Sequence, residues 1–231
     1  MKIAVINFSG NVGKTSVSRH LIAPRINAKV VAVESINGDE IESDAVKGKH
    51  FSQLMEAVAV MDRVVCDIGA SNVEVFINKM REYAGSHEDF DYYIIPCIPR
   101  NKQNRDTIAT IEALAEIGVP AEKIRVLFNM VDPEDDANHL FEPILNYYKA
   151  EHKFTFVKDA VIHINDLFGK LSPGSSIAEI VADDTDYKAL MKTATTSIEK
   201  QKISRQIGLK RLAVGFKDKL DQVFDSLFAE A

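Results

Sequence analysis

Cysteine is almost missing from this chain: its 231 residues include two, Cys66 and Cys97, each inside an apolar run. Thiols so few and so placed argue for buried, reduced cysteines and against a disulfide framework or a cysteine metal site. Histidine is sparse as well. None of the six, His20, His50, His87, His139, His152 and His163, has a partner at metal-ligand spacing, so none is expected to be catalytic. No apolar stretch approaches the ~18–20 residues of a membrane-spanning helix. The N-terminal apolar run is too short for a secretory signal and glycines follow it directly, so a cytoplasmic protein is expected. Positive charge is in deficit: a formal net charge of -6 excludes a protein that coats nucleic acid over its whole surface, and leaves room for a local basic patch. Hydrophobic residues make up 46%, enough for a core and unlike a disordered chain. The length suits one large α/β domain.

What is present is concentrated at the start, MKIAVINFSGNVGKTS, from Met1 to Ser16. Ile3, Ala4, Val5 and Ile6 form a short apolar run of the kind that makes a strand buried on both faces. Phe8 to Gly13 carries Gly10 and Gly13, and Gly13-Lys14-Thr15 opens a stretch that can be helical. Strand, tight loop and helix N-terminus together make a nest of backbone N–H groups that suits the phosphates of a nucleotide. The expected nucleotide-binding residues are Ser9, Gly10, Asn11, Val12, Gly13, Lys14, Thr15 and Ser16. Lys14 would reach the outer phosphates and the Thr15 hydroxyl would hold Mg²⁺. The standard P-loop, GxxxxGK[ST], asks for glycine where Phe8 stands, so the assignment leans on context; a Gly-rich turn of purely structural value is the bland alternative.

Apolar runs then alternate with helical patterns. Ser16 to Ile22 continues as a helix that Pro24 is expected to stop. Lys29 to Val33 is a second strand ending at Glu34, and Ser35 to His50 is polar, a loop of the kind that senses nucleotide. Phe51 to Val60 is an amphipathic helix and Arg63 to Asp67 a third strand. Ser71 to Ala84 is a helix with Val73, Phe76, Ile77 and Met80 on one face. Asp91 to Cys97 is strand four, with Pro96 expected to end its ladder. Asn104 to Ile117 is a helix with Ile108, Ile111, Leu114 and Ala115 facing in, and Ile124 to Met130 is strand five. Ala137 to Ala150 is a helix interrupted near Pro143, and Lys153 to Val157 reads as strand six. Such alternation specifies a doubly wound, mainly parallel sheet flanked by helices.

Two residues at strand ends stand out. Asp67, before Ile68-Gly69, has the form of a Walker B aspartate. A carboxylate there shares the sheet edge with the loop and can hold Mg²⁺ or its water shell, although it can also merely cap the next helix. Asn129 ends strand five, where an amide can pair with a purine; with Asp132 it makes an Asn-x-x-Asp that would read guanine, and a plain turn into Asp132-Pro133 is the alternative. Thr185 to Ile198 should be helical. From Ser204, Leu209, Leu212, Phe216, Leu220, Val223 and Leu227 recur at helical spacing, with Gly208 and Gly215 as weak points. The chain thus divides into a P-loop domain over 1–198 and a helical tail over 199–231. The tail's basic residues fit docking or self-association, and also a membrane surface or nucleic acid.

With these residues assembled, the chain resembles the ParA/MinD class of deviant Walker A ATPases, most closely the plasmid-stability StbB-type proteins, over about Met1 to Ile180. The carriers are Ser9 to Thr15, Asp67-Ile68-Gly69, Asn129 and the turn before Ser176-Ile177. The resemblance implies ATP and Mg²⁺ as cofactors, catalytic roles for Lys14 and Asp67, and a nucleotide-dependent homodimer. It also implies a protein partner such as a DNA-binding adaptor, with DNA or membrane contact through the tail, in plasmid stability, partition or positioning. Members have a KGGxGK[ST] loop whose first lysine meets the nucleotide of the opposing subunit; here Ser9 replaces that lysine and Asn11 the second glycine. Members also end strand two in two aspartates, where this chain has Glu34 and Ile36. Fewer cations at the transferred phosphoryl imply slow, partner-dependent hydrolysis, with Arg19, Arg100, Lys102 or a partner as substitutes. Two other readings are a nucleotide-gated binding module without turnover and a metabolic P-loop enzyme of the dethiobiotin-synthetase kind. The second needs a cluster of convergent polar residues that the sequence does not supply.

Overall fold

The computed structural model describes residues 1–33, 44–172 and 174–229. Glu34, Ile36 and the expected polar segment as far as residue 43 lie outside the described residues. The apolar runs form β1 (Lys2–Val5), β2 (Lys29–Val33), β3 (Val64–Ile68), β4 (Tyr92–Cys97), β5 (Ile124–Val131) and β6 (Val161–His163). They pair in the order β2-β3-β1-β4-β5-β6, every pair parallel. From β1 the chain winds first to one side and then to the other, so the carboxyl end of β1 is the switch point where such sheets open a crevice. Every residue of β3 is buried, as the continuous run VVCDI demands for a strand covered on both faces.

After β1 the helical stretch is α1 (Lys14–Ser16), a π-wound turn at Val17–Ile22 and α2 (Ala23–Ile26). Pro24 therefore does not stop the helix. The wider turn pairs Ala23 N–H with Ser18 O, and the Arg25 guanidinium donates to Leu21 O at 2.7 Å and at 2.9 Å to His20 O, the carbonyl four residues before Pro24, which has no N–H to offer it. α3 (Asp44–Val60) begins well before Phe51, correcting the expected loop up to His50. α4 (Val73–Glu82) buries Val73, Phe76, Ile77 and Met80, the face that its periodicity indicates. Phe51, Phe76, Phe90 and Tyr93 then form a chain of ring contacts, each fully buried ring contributing roughly 1.5–3 kcal/mol.

α5 (Asn101–Glu116) differs from expectation in its inward face. Asn104, Thr107, Thr110, Ile111 and Leu114 are buried, while Ile108 and Ala115 are only half-buried. The ladder through β4 also differs. Pro96 and Cys97 still pair with β5, because the ladder to β1 has already ended at Ile94 and Pro96 O accepts from the Asn7 side chain on that side. Strand six is not Lys153 to Val157: Thr155 makes one isolated bridge to Arg125, and β6 lies beyond it. α6 (Ala137–Leu140) and α7 (Glu142–Glu151) break at Phe141, beside Pro143 as expected. Cys66 and Cys97 are free, buried thiols, each pushed up to about 12 by burial.

The chain forms two compact units, Met1–Ile164 with Val223–Ala231, and Asn165–Gln222. These limits differ from a boundary at 198/199, because α10 (Ser197–Phe228) runs unbroken through that point and through Gly208 and Gly215. In the first unit the end of α10 is anchored: Arg125 donates to Leu227 O, and its guanidinium lies 4.7 Å from the Tyr92 ring, which meets Phe228 at 5.1 Å. The second unit holds α8 (Ile177–Ala182), opened by a Ser176/Glu179 capping box, and α9 (Tyr187–Thr193), shorter than the expected helix. There Phe168 packs edge-on against Phe216 at 5.4 Å. Lys210 reaches Asp183 O, and the Asp183 carboxyl is held at about 2, chiefly by the Thr185 hydroxyl.

Candidate functional site

The loop after β1 is held open by left-handed backbone at two residues. Asn11 has φ 58 and Gly13 φ 88. Asparagine is among the few side chains at ease there, which explains how Asn11 stands where the resembled family has glycine. Gly13 has a stricter reason: a Cβ would come within 2.3 Å of Asn129 Nδ2. Asn129 donates to Val12 O at 2.9 Å, and it is aimed there by a bulge in β5 between Asn129 and Val131, with Met130 at φ 55. A bulky residue in that region is costly, on the order of 1–3 kcal/mol, and such strain collects at functional sites. Asp132 closes the adjoining turn, its Oδ1 accepting from Glu134 N–H at 3.0 Å.

Lys14 is buried and folds back along the loop, its Nζ donating to Ser9 O at 2.7 Å and Asn7 O at 3.1 Å. Burial lowers its pKa to about 8, and the nearby Asp67 charge resists that shift. An ammonium so desolvated, bonded to neutral carbonyls, gains from a further anion. Thr15 Oγ1 donates to Asp67 Oδ2 at 2.6 Å, across from β3. Asp67 therefore faces the loop, and the side chains needed for a hard cation, a hydroxyl and a carboxylate, converge at one point. Gly10 lies in the same loop, where an added Cβ would stand 4.0 Å from Ala70, and Ser16 closes α1 behind it. Among the described residues no group of three or more His, Cys, Asp or Glu gathers to hold a metal, so a cation here would need oxygens from its ligand or from water.

Four further residues complete the site, and periodicity did not single them out. Asn7 is fully buried; its Nδ2 donates to Pro96 O at 2.9 Å and Thr107 Oγ1 at 2.8 Å, and its Oδ1 accepts from Ser9 N–H at 2.8 Å. Phe8 N–H donates to Thr110 Oγ1 at 3.1 Å, and the Ser9 hydroxyl donates to Asp106 Oδ2. One face of α5 thus takes three successive loop residues, from 97 to 102 positions away in the chain. Burial raises the Asp106 pKa, but hydrogen bonds from Lys102 and Ser9 outweigh it and hold the carboxyl below its usual range. Lys102 donates to the same Oδ2 at 2.6 Å, so of the three exposed cations Arg19, Arg100 and Lys102 it is the one tied, through Asp106, to Ser9. The signal that was available was modest: a lone asparagine closing an apolar strand, and threonines on the inward stripe of a helix.

No protein-family model matches the chain, and no curated protein matches it. Among solved structures it is similar to apo McdA from Cyanothece, 12% identical with a TM-score of 0.51, over 98% of either chain. A McdA–ATP complex from Cyanothece is 12% identical over 90% of this chain and 96% of that one, with a TM-score of 0.47. For pNOB8 ParA the identity is 11%, the coverage 97% and 98%, and the TM-score 0.45. At such identities the likeness is one of architecture: a six-stranded parallel sheet flanked by helices and followed by a long C-terminal helix, the ParA-like P-loop NTPase fold.

Proposed function

We propose that this chain is a ParA/MinD-like nucleotide-switched ATPase. The observation that carries the reading is the meeting of Thr15 Oγ1 and Asp67 Oδ2 at 2.6 Å beside a buried Lys14. The amide-lined loop from Ser9 to Ser16 would take the phosphates, Lys14 would neutralise the outer ones, and Thr15 with Asp67 would hold Mg²⁺. When bound, that cation supplies charge neutralisation at the transferred phosphoryl. Asn129 acts through Val12, keeping the loop in its left-handed turns. With Ser9 in place of a lysine, hydrolysis is slow and depends on a partner. The biological setting is positioning or partition, plasmid stability included, with an ATP-dependent homodimer, a protein adaptor and DNA as partners. The tail's basic residues, Lys200 to Lys219, would meet DNA or a membrane. A cytoplasmic location follows from that role. Among the described residues no helix is long and apolar enough to cross a membrane.

The test is calorimetric binding of ATP–Mg²⁺ to the full chain and to Lys14→Ala. The parent should bind and the variant should lose at least about a hundredfold, the scale of a buried charge-assisted contact. Equal binding by both would overturn the assignment. Light scattering with ATP, ADP and no nucleotide separates the switch from a metabolic enzyme: the ATP state should be the larger species.

A further inference from the structure

Of the three contacts from α5 to the phosphate loop, two are neutral and one is charged. Thr107 and Thr110 serve Asn7 and Phe8 through hydroxyls, whereas Ser9 is served by the Asp106 carboxylate. A negative charge one hydrogen bond from a phosphate loop repels the anion that the loop would hold. Ser9 is 1% exposed and the Asp106 side chain 25%, so water screens that charge only in part. Lys102, one turn earlier on α5, lies with its Nζ 2.6 Å from the carboxylate oxygen that takes the Ser9 hydroxyl.

We propose that Asp106 and Lys102 form an electrostatic positioning pair for the phosphate loop. Asp106 orients Ser9, whose carbonyl holds Lys14, and Lys102 cancels the carboxylate's field toward a nucleoside triphosphate. The inference rests on the nucleotide-binding reading above and adds to it two residues outside the Walker motifs. It also accounts for an acidic side chain at the mouth of an anion site. Lys102 is 68% exposed, so its effect is moderate rather than decisive.

Calorimetry on the full chain at low and high salt tests the pair with ATP–Mg²⁺ and ADP–Mg²⁺. Lys102→Met should weaken ATP binding about three- to tenfold at low salt, weaken the less charged ADP less, and lose most of the effect at high salt. Asp106→Asn, whose amide oxygen still accepts from Ser9, should bind ATP at least as well as the parent. The double variant should return to within about twofold of the parent, a coupling that general loss of structure does not produce. Unchanged ATP affinity in Lys102→Met at low salt, or a double variant as weak as Lys102→Met, overturns the proposal while leaving the nucleotide reading intact. A parent that binds no ATP brings down both.

Discussion

The two edges of the central sheet are built from different materials. At the carboxyl edge lie Asn7, Ser9, Lys14, Asp67, Asn104, Thr107, Thr110 and Asn129, all buried and all polar. At the amino edge Arg125 binds the end of α10 among the rings of Tyr92 and Phe228. Buried polar groups cost stability unless each is satisfied, so such a concentration at one edge is not what packing alone would select. Around Arg125 the amino edge shows closure for its own sake: a cation, two rings and a helix end. The contrast sets the candidate site, a buried polar edge, against an edge that closes on the end of a helix.

The largest effect should come from breaking the closure. Arg125→Ala should destabilise the fold by about 2–4 kcal/mol in denaturant unfolding, since it removes a buried charged donor and its ring contacts, and should leave ATP affinity per folded molecule unchanged. Asp67→Asn should do the reverse. The Mg²⁺-dependent part of ATP affinity should fall about 10–100-fold, with little change in unfolding midpoint. If both variants lost stability and binding together, the separation of roles would fail.

Lys14 allows the two properties to be pulled apart by pH. Its folded pKa lies at about 8, below the ordinary 10.5, so between those values the unfolded chain keeps a proton that the folded chain has lost. Stability therefore gains from this group as pH rises through that window. Polyphosphate binding needs the protonated form, so ATP affinity should be flat below about pH 8 and fall above it, toward about tenfold per pH unit. Titration calorimetry and thermal unfolding across the window should show opposite slopes, and Lys14→Met should flatten both. The smallest effect concerns α10. Gly208 and Gly215 have open space where a Cβ would stand, so Gly208→Ala and Gly215→Ala should each stabilise by about 0.5–1 kcal/mol without touching ATP binding.

Much of this was legible in the residues. Runs such as VVCDI and YYIIPC become buried strands because they are almost wholly apolar, and Gly13-Lys14-Thr15 is a signature read within three residues. Asp67 was legible as an acid that ends an apolar run and is followed by Ile68-Gly69. α5 was misjudged because hydrophobic periodicity assumes that inward means apolar. Its inward stripe begins with Asn104, which meets Leu140 O and Cys97, and with Thr107 and Thr110, which meet Asn7 and Phe8. Pro24 was misjudged because its remedy, the Arg25 guanidinium on the carbonyls of His20 and Leu21, depends on a wider helical turn that proline rules do not anticipate.

By itself the chain's order of apolar and polar residues determined β1 to β5, their alternation with helices and the glycine-bearing loop after β1, since each is written in a local pattern. Only the tertiary structure decided that Asn7, Phe8 and Ser9 would meet Thr107, Thr110 and Asp106, and that Asn129 would lock Val12. Those contacts join residues about a hundred positions apart through single hydrogen bonds, which leave no periodic trace and acquire their partners when the sheet assembles.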